Sequence, residues 1–296
     1  MYLALAQTNV GANLFASCPP SAATNHQKTR PSKSVERGFT LVELIMVIAL
    51  AGIVAVMIST VMSRPLQGFA DQSRRAELTD LAASALNRMA RDIRLAVPNL
   101  LVVSSNEVRL VPIAAAGRYR ANQPDPAGPR HDPPACTQPA GACSIDILSP
   151  IVPTSSTTTH WLIIYNTAGL AGIPEAIDGE VSAISPKAFT WKDNTLSAGL
   201  SNFRFQYASP QKRFYLANEA ISYSCVEDEL LRKSSQKLDG SDAEQAVVVD
   251  SVHSCSFSYE PRTNTRNGLV ALRLTLRDEV GETITLLQQV HVDNAP

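Results

Sequence analysis

The residue patterns that announce an enzyme are missing. The 296 residues contain no Gly-x-Ser-x-Gly, no His-Glu-x-x-His and no glycine-rich phosphate loop, so a nucleophile elbow, a zinc peptidase site and a nucleotide cradle are without their residues. No basic stripe interleaved with aromatics appears, which argues against a nucleic-acid surface. Charged residues are scarce at 18%, against 45% hydrophobic; so apolar a chain is not disordered, and it is long enough for one large domain or two small ones beside a membrane segment. His160, His253 and His291 are most economically strand residues. The reading is therefore a non-enzyme with no cofactor and no metal.

What is present begins with an uneven charge distribution. Residues 1–38 hold Lys28, Arg30, Lys33 and Arg37 against Glu36, a net +3, which leaves 22 basic and 26 acidic residues in the rest. Immediately after this basic cluster comes "ERGFTLVELIMVIALAGIVAVMISTVMS", residues 36–63. Leu44 to Ser63 are uncharged, and at about 1.5 Å rise per residue this run spans roughly the 30 Å of a hydrocarbon core. Basic residues before the span place the N-terminus in the cytoplasm and everything after Arg64 outside. An ordinary secretory signal has a shorter apolar core and a small-x-small cleavage site, which "VMSRPLQGF" does not offer. The one carboxylate in this oily run, Glu43, is costly there and needs a reason.

"RGFTLVELIMVIALAGIVA", residues 37–55, resembles the class III signal of type IV prepilins and type II secretion pseudopilins. The resemblance implies the following: Arg37, Thr40 and Leu41 belong to the recognition motif; a prepilin peptidase/N-methyltransferase cuts between Gly38 and Phe39 and methylates the new amine of Phe39; and Glu43 of one subunit pairs with the Phe39 amine of a neighbour, setting their register. It further implies, as partners, other major and minor pilin subunits and an inner-membrane assembly platform. A Glu43 that snorkels to the near interface of a simple anchor is the alternative.

Beyond Pro65 the composition stays helical. Leu78, Leu81, Ala85, Met89, Ile93 and Ala96 recur at three- and four-residue spacing opposite Arg75, Asp80, Asn87, Arg91 and Arg94, so one face is built to lie against a partner. Pro65 is expected to bend the rod and Pro98 to end it. After residue 98 the period becomes two. "NLLVVSSNEVRLVPI" reads as two strands around a turn, residues 160–166, 201–208, 213–217 and 220–225 as further strands, and "LVALRLTLRDEVGETITLLQQVHV" as a closing hairpin. Residues 118–143 carry many prolines and read as an irregular surface loop.

The expected architecture is α+β and pilin-like: a leader (1–38), a transmembrane helix (39–63), its amphipathic continuation (64–97) and a periplasmic antiparallel β domain (98–296). Removal of the leader takes Cys18 with it and leaves four cysteines, which allow three connectivities. Cys225 ends the alternation Ile221, Tyr223, Cys225, and Cys255 begins Cys255, Phe257, Tyr259, so both thiols face one apolar layer and are paired. Cys136 and Cys143 then close "CTQPAGAC". A zinc site on His131, Cys136 and Cys143 lacks a fourth ligand. The acidic stretches 226–230 and 239–244 read as solvated turns rather than calcium loops.

The size of the exported part suggests a minor subunit. "RRAELTDLAASALNRMARDIRLAVPN", "KRFYLANEAISYSC", "CSFSYEP" and the C-terminal stretch resemble MshO-type minor pilins of mannose-sensitive haemagglutinin pilus systems, implying a role in initiating or capping a pilus. A J-type pseudopilin of a secretion system is the nearest rival, and an uncleaved anchored binding or sensor domain the next.

Overall fold

A computed structural model describes residues 38–122, 128–137, 143–149, 151, 154–170, 175–261 and 267–292, without the side chains of 63–66. Residues 1–37, which hold most of the expected leader with Arg37 and Cys18, lie outside the described residues. The chain divides into two compact units, Met1–Val61 and Met62–Pro296. Helix α1 (Leu41–Arg94) is followed by β1 (Ala96–Val103), β2 (Glu107–Pro112), β3 (Ala115–Arg118), β4 (Ala135–Cys136), β5 (Cys143–Asp146), β6 (Ser155–Ile163), β7 (Val181–Ser182), β8 (Phe189–Lys192) and β9 (Thr195–Ala198). Then come β10 (Phe203–Phe205), β11 (Arg213–Ala217), β12 (Ala220–Val226), β13 (Glu229–Ser235), β14 (Glu244–Val249), β15 (Val252–Glu260), β16 (Gly268–Arg277) and β17 (Thr283–Val292). The expected α+β class holds: one long helix precedes sheets whose strand pairs are antiparallel except β7 with β10.

In the first unit, α1 is apolar on every side. Every described residue from Gly38 to Met62 is exposed, and a window of the helix with mean hydropathy 2.9 is long and apolar enough to cross a membrane. Helical backbone runs through Pro65 without a break. The helix ends at Arg94 rather than at 97, and β1 has begun by Ala96. Pro98, with no N–H to give, falls where β1 shifts register against β2, and Asn99 beside it takes a left-handed φ of 64°.

In the second unit the helix becomes one-sided. Leu78, Ala82, Ala85, Leu86, Met89, Ala90 and Ile93 are buried, a stripe at the helical spacing. Leu81, expected in that stripe, is 41% exposed; the buried face runs through Ala82 and Leu86, so the stripe is rotated toward small residues. This stripe shares one core with the sheet β1-β2-β12-β13-β14 and the sheet β15-β16-β17. Tyr223 Oη donates to Asp92 Oδ2 at 2.6 Å, and Arg232 Nε lies 3.5 Å from the same oxygen. Arg75 pairs with Glu282 in the last turn, and Gln288 Nε2 donates to Asn87 at 3.2 Å. The two sheets meet where the Phe257 N–H of β15 donates to the Ser105 carbonyl in the β1–β2 turn.

Residues 113–219 are an insertion between β2 and β12, which are hydrogen-bonded neighbours through Ile221 and Leu110. The insertion builds a six-stranded sheet in the order β3-β11-β6-β8-β9-β5. Its edges join through the Tyr119–Ile147 bridge, with Arg120 N–H donating to Asp146 and Leu148 N–H to Arg118, so the sheet closes into a small barrel. Phe189, Trp191, Phe203, Phe205, Phe214 and Leu216 fill it. The proline-rich stretch is less irregular and less superficial than expected: Tyr119, Asn122, Ala135, Cys136 and Cys143 are buried, and β4 pairs with β10. Lys187 ties the barrel to the scaffold, its ammonium 4.5 Å from the Trp161 ring centroid and 3.1 Å from the Gln236 carbonyl.

Candidate functional site

The first turn of α1 collects the motif residues. Thr40 is the N-cap: the Glu43 N–H lies 3.3 Å from Thr40 Oγ1 and 3.1 Å from its carbonyl. This is the Thr-x-x-Glu capping arrangement, which satisfies a backbone donor the helix itself leaves open. A threonine three residues before a glutamate, at the start of an apolar run, is the signal by which sequence reasoning could have found the cap. Glu43 stands in the first turn, where the helix dipole favours a negative charge. It is the sole carboxylate between Gly38 and Met62.

The sequence around the cap is open to another molecule. Among the described residues, a side chain added at Gly38 would meet nothing within 4 Å. Phe39 is 77% exposed, and Leu41 is exposed beside it. The bond between Gly38 and Phe39, where cleavage is expected, lies in non-helical backbone one residue ahead of the cap.

The cysteines pair as the alternation implies. Cys225 joins Cys255, with Cα atoms 6.5 Å apart, and so links β12 to β15 across the seam between the two scaffold sheets. Cys136 joins Cys143, with Cα atoms 4.8 Å apart, which leaves neither thiolate for zinc beside His131. The acidic stretches serve turns. Glu227 and Asp228 form the turn between β12 and β13, Glu227 at a φ of 52°. Asp239 accepts the Ser241 N–H at 2.9 Å, a bond that holds its carboxyl below the usual range. Among the described residues no group of three His, Cys, Asp or Glu side chains gathers as metal ligands.

His160 is a buried strand residue, its ring tilted against Trp191 with centroids 4.9 Å apart and Nδ1 donating to the Thr158 carbonyl at 2.7 Å. Burial lowers its pKa. His253 and His291 are exposed on β15 and β17. Sequence reasoning did not find the Asp92–Tyr223–Arg232 link. Burial, then the Asp92 carboxylate, pushes the Tyr223 phenol well up, so it stays a donor.

Residues 33–59 match the family described as the prokaryotic N-terminal methylation motif. No curated protein and no solved structure matches the chain. The match supports a type IV pilin-like or pseudopilin precursor, and the apolar helix fits a single-pass membrane-anchored protein.

Proposed function

We propose that this chain is a minor type IV pilin-like subunit, cleaved after Gly38, N-methylated on Phe39, and used to initiate or cap a pilus of the mannose-sensitive haemagglutinin type. One observation carries the reading: the described residues from Gly38 to Met62 are exposed throughout and uncharged but for Glu43 in the capped first turn. Such a surface needs apolar surroundings on every side, first lipid and then packed helices of other subunits. The basic flank keeps the N-terminus cytoplasmic, where the peptidase acts, and the β domain periplasmic. The resemblance of 74–99, 212–225 and the C-terminal stretch to MshO-type minor pilins supports the pilus role. The chain acts as a structural subunit rather than an enzyme.

Cleavage creates a cationic amine on Phe39, and Glu43 of a neighbour neutralises it in the filament core. Replacing Glu43 by Val or Gln leaves membrane insertion and leader cleavage intact, because neither change makes the helix less apolar. It removes the partner of a buried amine, a loss of about 3–5 kcal/mol, and the variant drops out of the assembly. Co-purification with the other pilin subunits and surface piliation, beside a blot of the membrane fraction, reads this out. Normal piliation and normal subunit contacts in the Glu43→Val strain would overturn the role given to Glu43.

A further inference from the structure

Arg118 on β3 and Arg213 on β11 are direct cross-strand partners. Their chain neighbours Tyr119 and Phe214 point into the barrel core, so both guanidinium groups lie on its outer face. Like charges set opposite each other on adjacent strands destabilise a sheet. Among the described residues neither arginine forms an ion pair. Of the nearby acids, Asp132 pairs with Lys212, and the backbone carbonyl of Asp146 accepts the Arg120 N–H. Leu148, half exposed, adjoins Arg118 and adds an aliphatic surface to the pair.

The opposite composition occurs at the start of the buried stretch of α1. A groove of about 390 Å³ between the helix and the β16–β17 turn is lined by the acidic residues Glu77, Asp250 and Glu279, and by Asp278, whose Oδ1 accepts the Val280 and Glu282 N–H groups of the turn. Its one basic residue, Arg74, already pairs with Asp71 and lies 3.6 Å from Asp278. Leu81 and Val280 stand exposed at its walls, Val280 by 73%. Arg74 and Arg94 are about 30 Å apart along the helix at 1.5 Å per residue. The barrel springs from the Arg94 end, where Ile113 N–H donates to the Leu95 carbonyl.

We propose that these two surfaces are the halves of a head-to-tail contact between copies of this chain: the Arg118–Arg213 pair of one barrel seats in the carboxylate-lined groove of the next subunit. Each half supplies charge of one sign beside exposed aliphatic side chains, so an arginine entering the groove exchanges water for carboxylates while Leu148 meets Leu81 or Val280. The contact is heterologous and repeats along a line rather than closing into a symmetric dimer. It uses residues beyond Met62 only, and it stands or falls separately from processing after Gly38.

The test uses the full chain in detergent micelles, with self-association followed by sedimentation. The expected result is association that weakens as salt rises from about 50 to about 500 mM, as screening shortens the reach of exposed charges. Arg118→Glu with Arg213→Glu weakens it by about tenfold or more, as does Asp250→Lys with Glu279→Lys. Mixing the two variants restores association as an alternating line, since the reversed barrel of one meets the reversed groove of the other and their unaltered barrel and groove also match; that rescue also shows both variants to be folded. Association that ignores charge reversal, or variants that fail to rescue each other, overturns the proposal. So does a wild-type chain that binds heparin through the two arginines without associating with itself, an outcome that assigns the patch to a polyanion.

Discussion

Two stretches of one helix, 41–62 and 78–93, are both rich in apolar residues, yet they are buried to opposite degrees. In the first, Leu44, Ile48, Ile53 and Ile58 are each more than half exposed; in the second, Met89, Ala90 and Ile93 are wholly buried. The difference lies in where polar residues fall. The first stretch, with almost none, has no face to turn toward water, so it calls for an environment that is apolar all round. In the second, charges recur opposite the stripe, and the protein's own sheets cover the rest. One helix thus serves two solvents, and the pattern of its polar residues marks the change.

The comparison breaks most visibly at Met89, buried among the scaffold core residues. Met89→Ala leaves a cavity and costs about 2–5 kcal/mol of domain stability. Met57→Ala, at an exposed position in the first stretch, leaves domain unfolding unchanged. Denaturant titration of the full chain in detergent, followed by Trp fluorescence, gives both numbers. Equal losses would mean that the two stretches do not differ in the way their burial indicates.

How the covered stretch is held can be sharpened at the seam between the two scaffold sheets. Cys225 and Cys255 are 30 residues apart, Cys136 and Cys143 only 7. The longer loop loses more entropy in the unfolded chain, so Cys225→Ser with Cys255→Ser costs about 2–4 kcal/mol and more than the other double substitution. Denaturant midpoints under oxidising conditions check the order. The reverse order would place the barrel, rather than the sheet seam beneath α1, as the part most dependent on its crosslink.

The smallest expected effect concerns the barrel, which lies apart from the stripe on α1. Burial keeps His160 neutral, so its folded pKa lies below the unfolded value of about 6.5. Its contribution is fully present above that unfolded value and is lost as pH falls toward the lowered folded one, because the unfolded chain then binds the extra proton. The melting temperature should therefore fall between about pH 7 and pH 5, and His160→Gln should flatten that part of the profile. An unchanged slope in the variant would remove His160 as the cause.

Much of this was legible in the sequence because it rests on local pattern. The apolar run, the period-two strands 213–217 and 220–225, the closing hairpin and the Cys225–Cys255 pairing all follow from alternation within a few residues. The barrel was not legible, because its closure joins Tyr119 to Ile147 and its order interleaves β3, β11 and β6. Such pairings leave no short-range trace. Prolines in 118–143 signalled a loop, while the burial of Tyr119 and Cys136 depends on strands far along the chain. Leu81 misled for a simpler reason: Ala82 and Ala90 weigh little in a hydrophobic pattern, yet their small size lets the helix approach the sheet.

The central claim is that the exposed stretch belongs to a subunit matured at its N-terminus for assembly, and mass spectrometry of that terminus tests it most directly. The protein is purified from membranes of cells that contain the prepilin peptidase, alongside Gly38→Ala. The account predicts a wild-type chain beginning at N-methylated Phe39 and a Gly38→Ala chain that keeps its leader. A wild-type chain with its leader intact in those cells would contradict it, and would leave α1 as a plain membrane anchor.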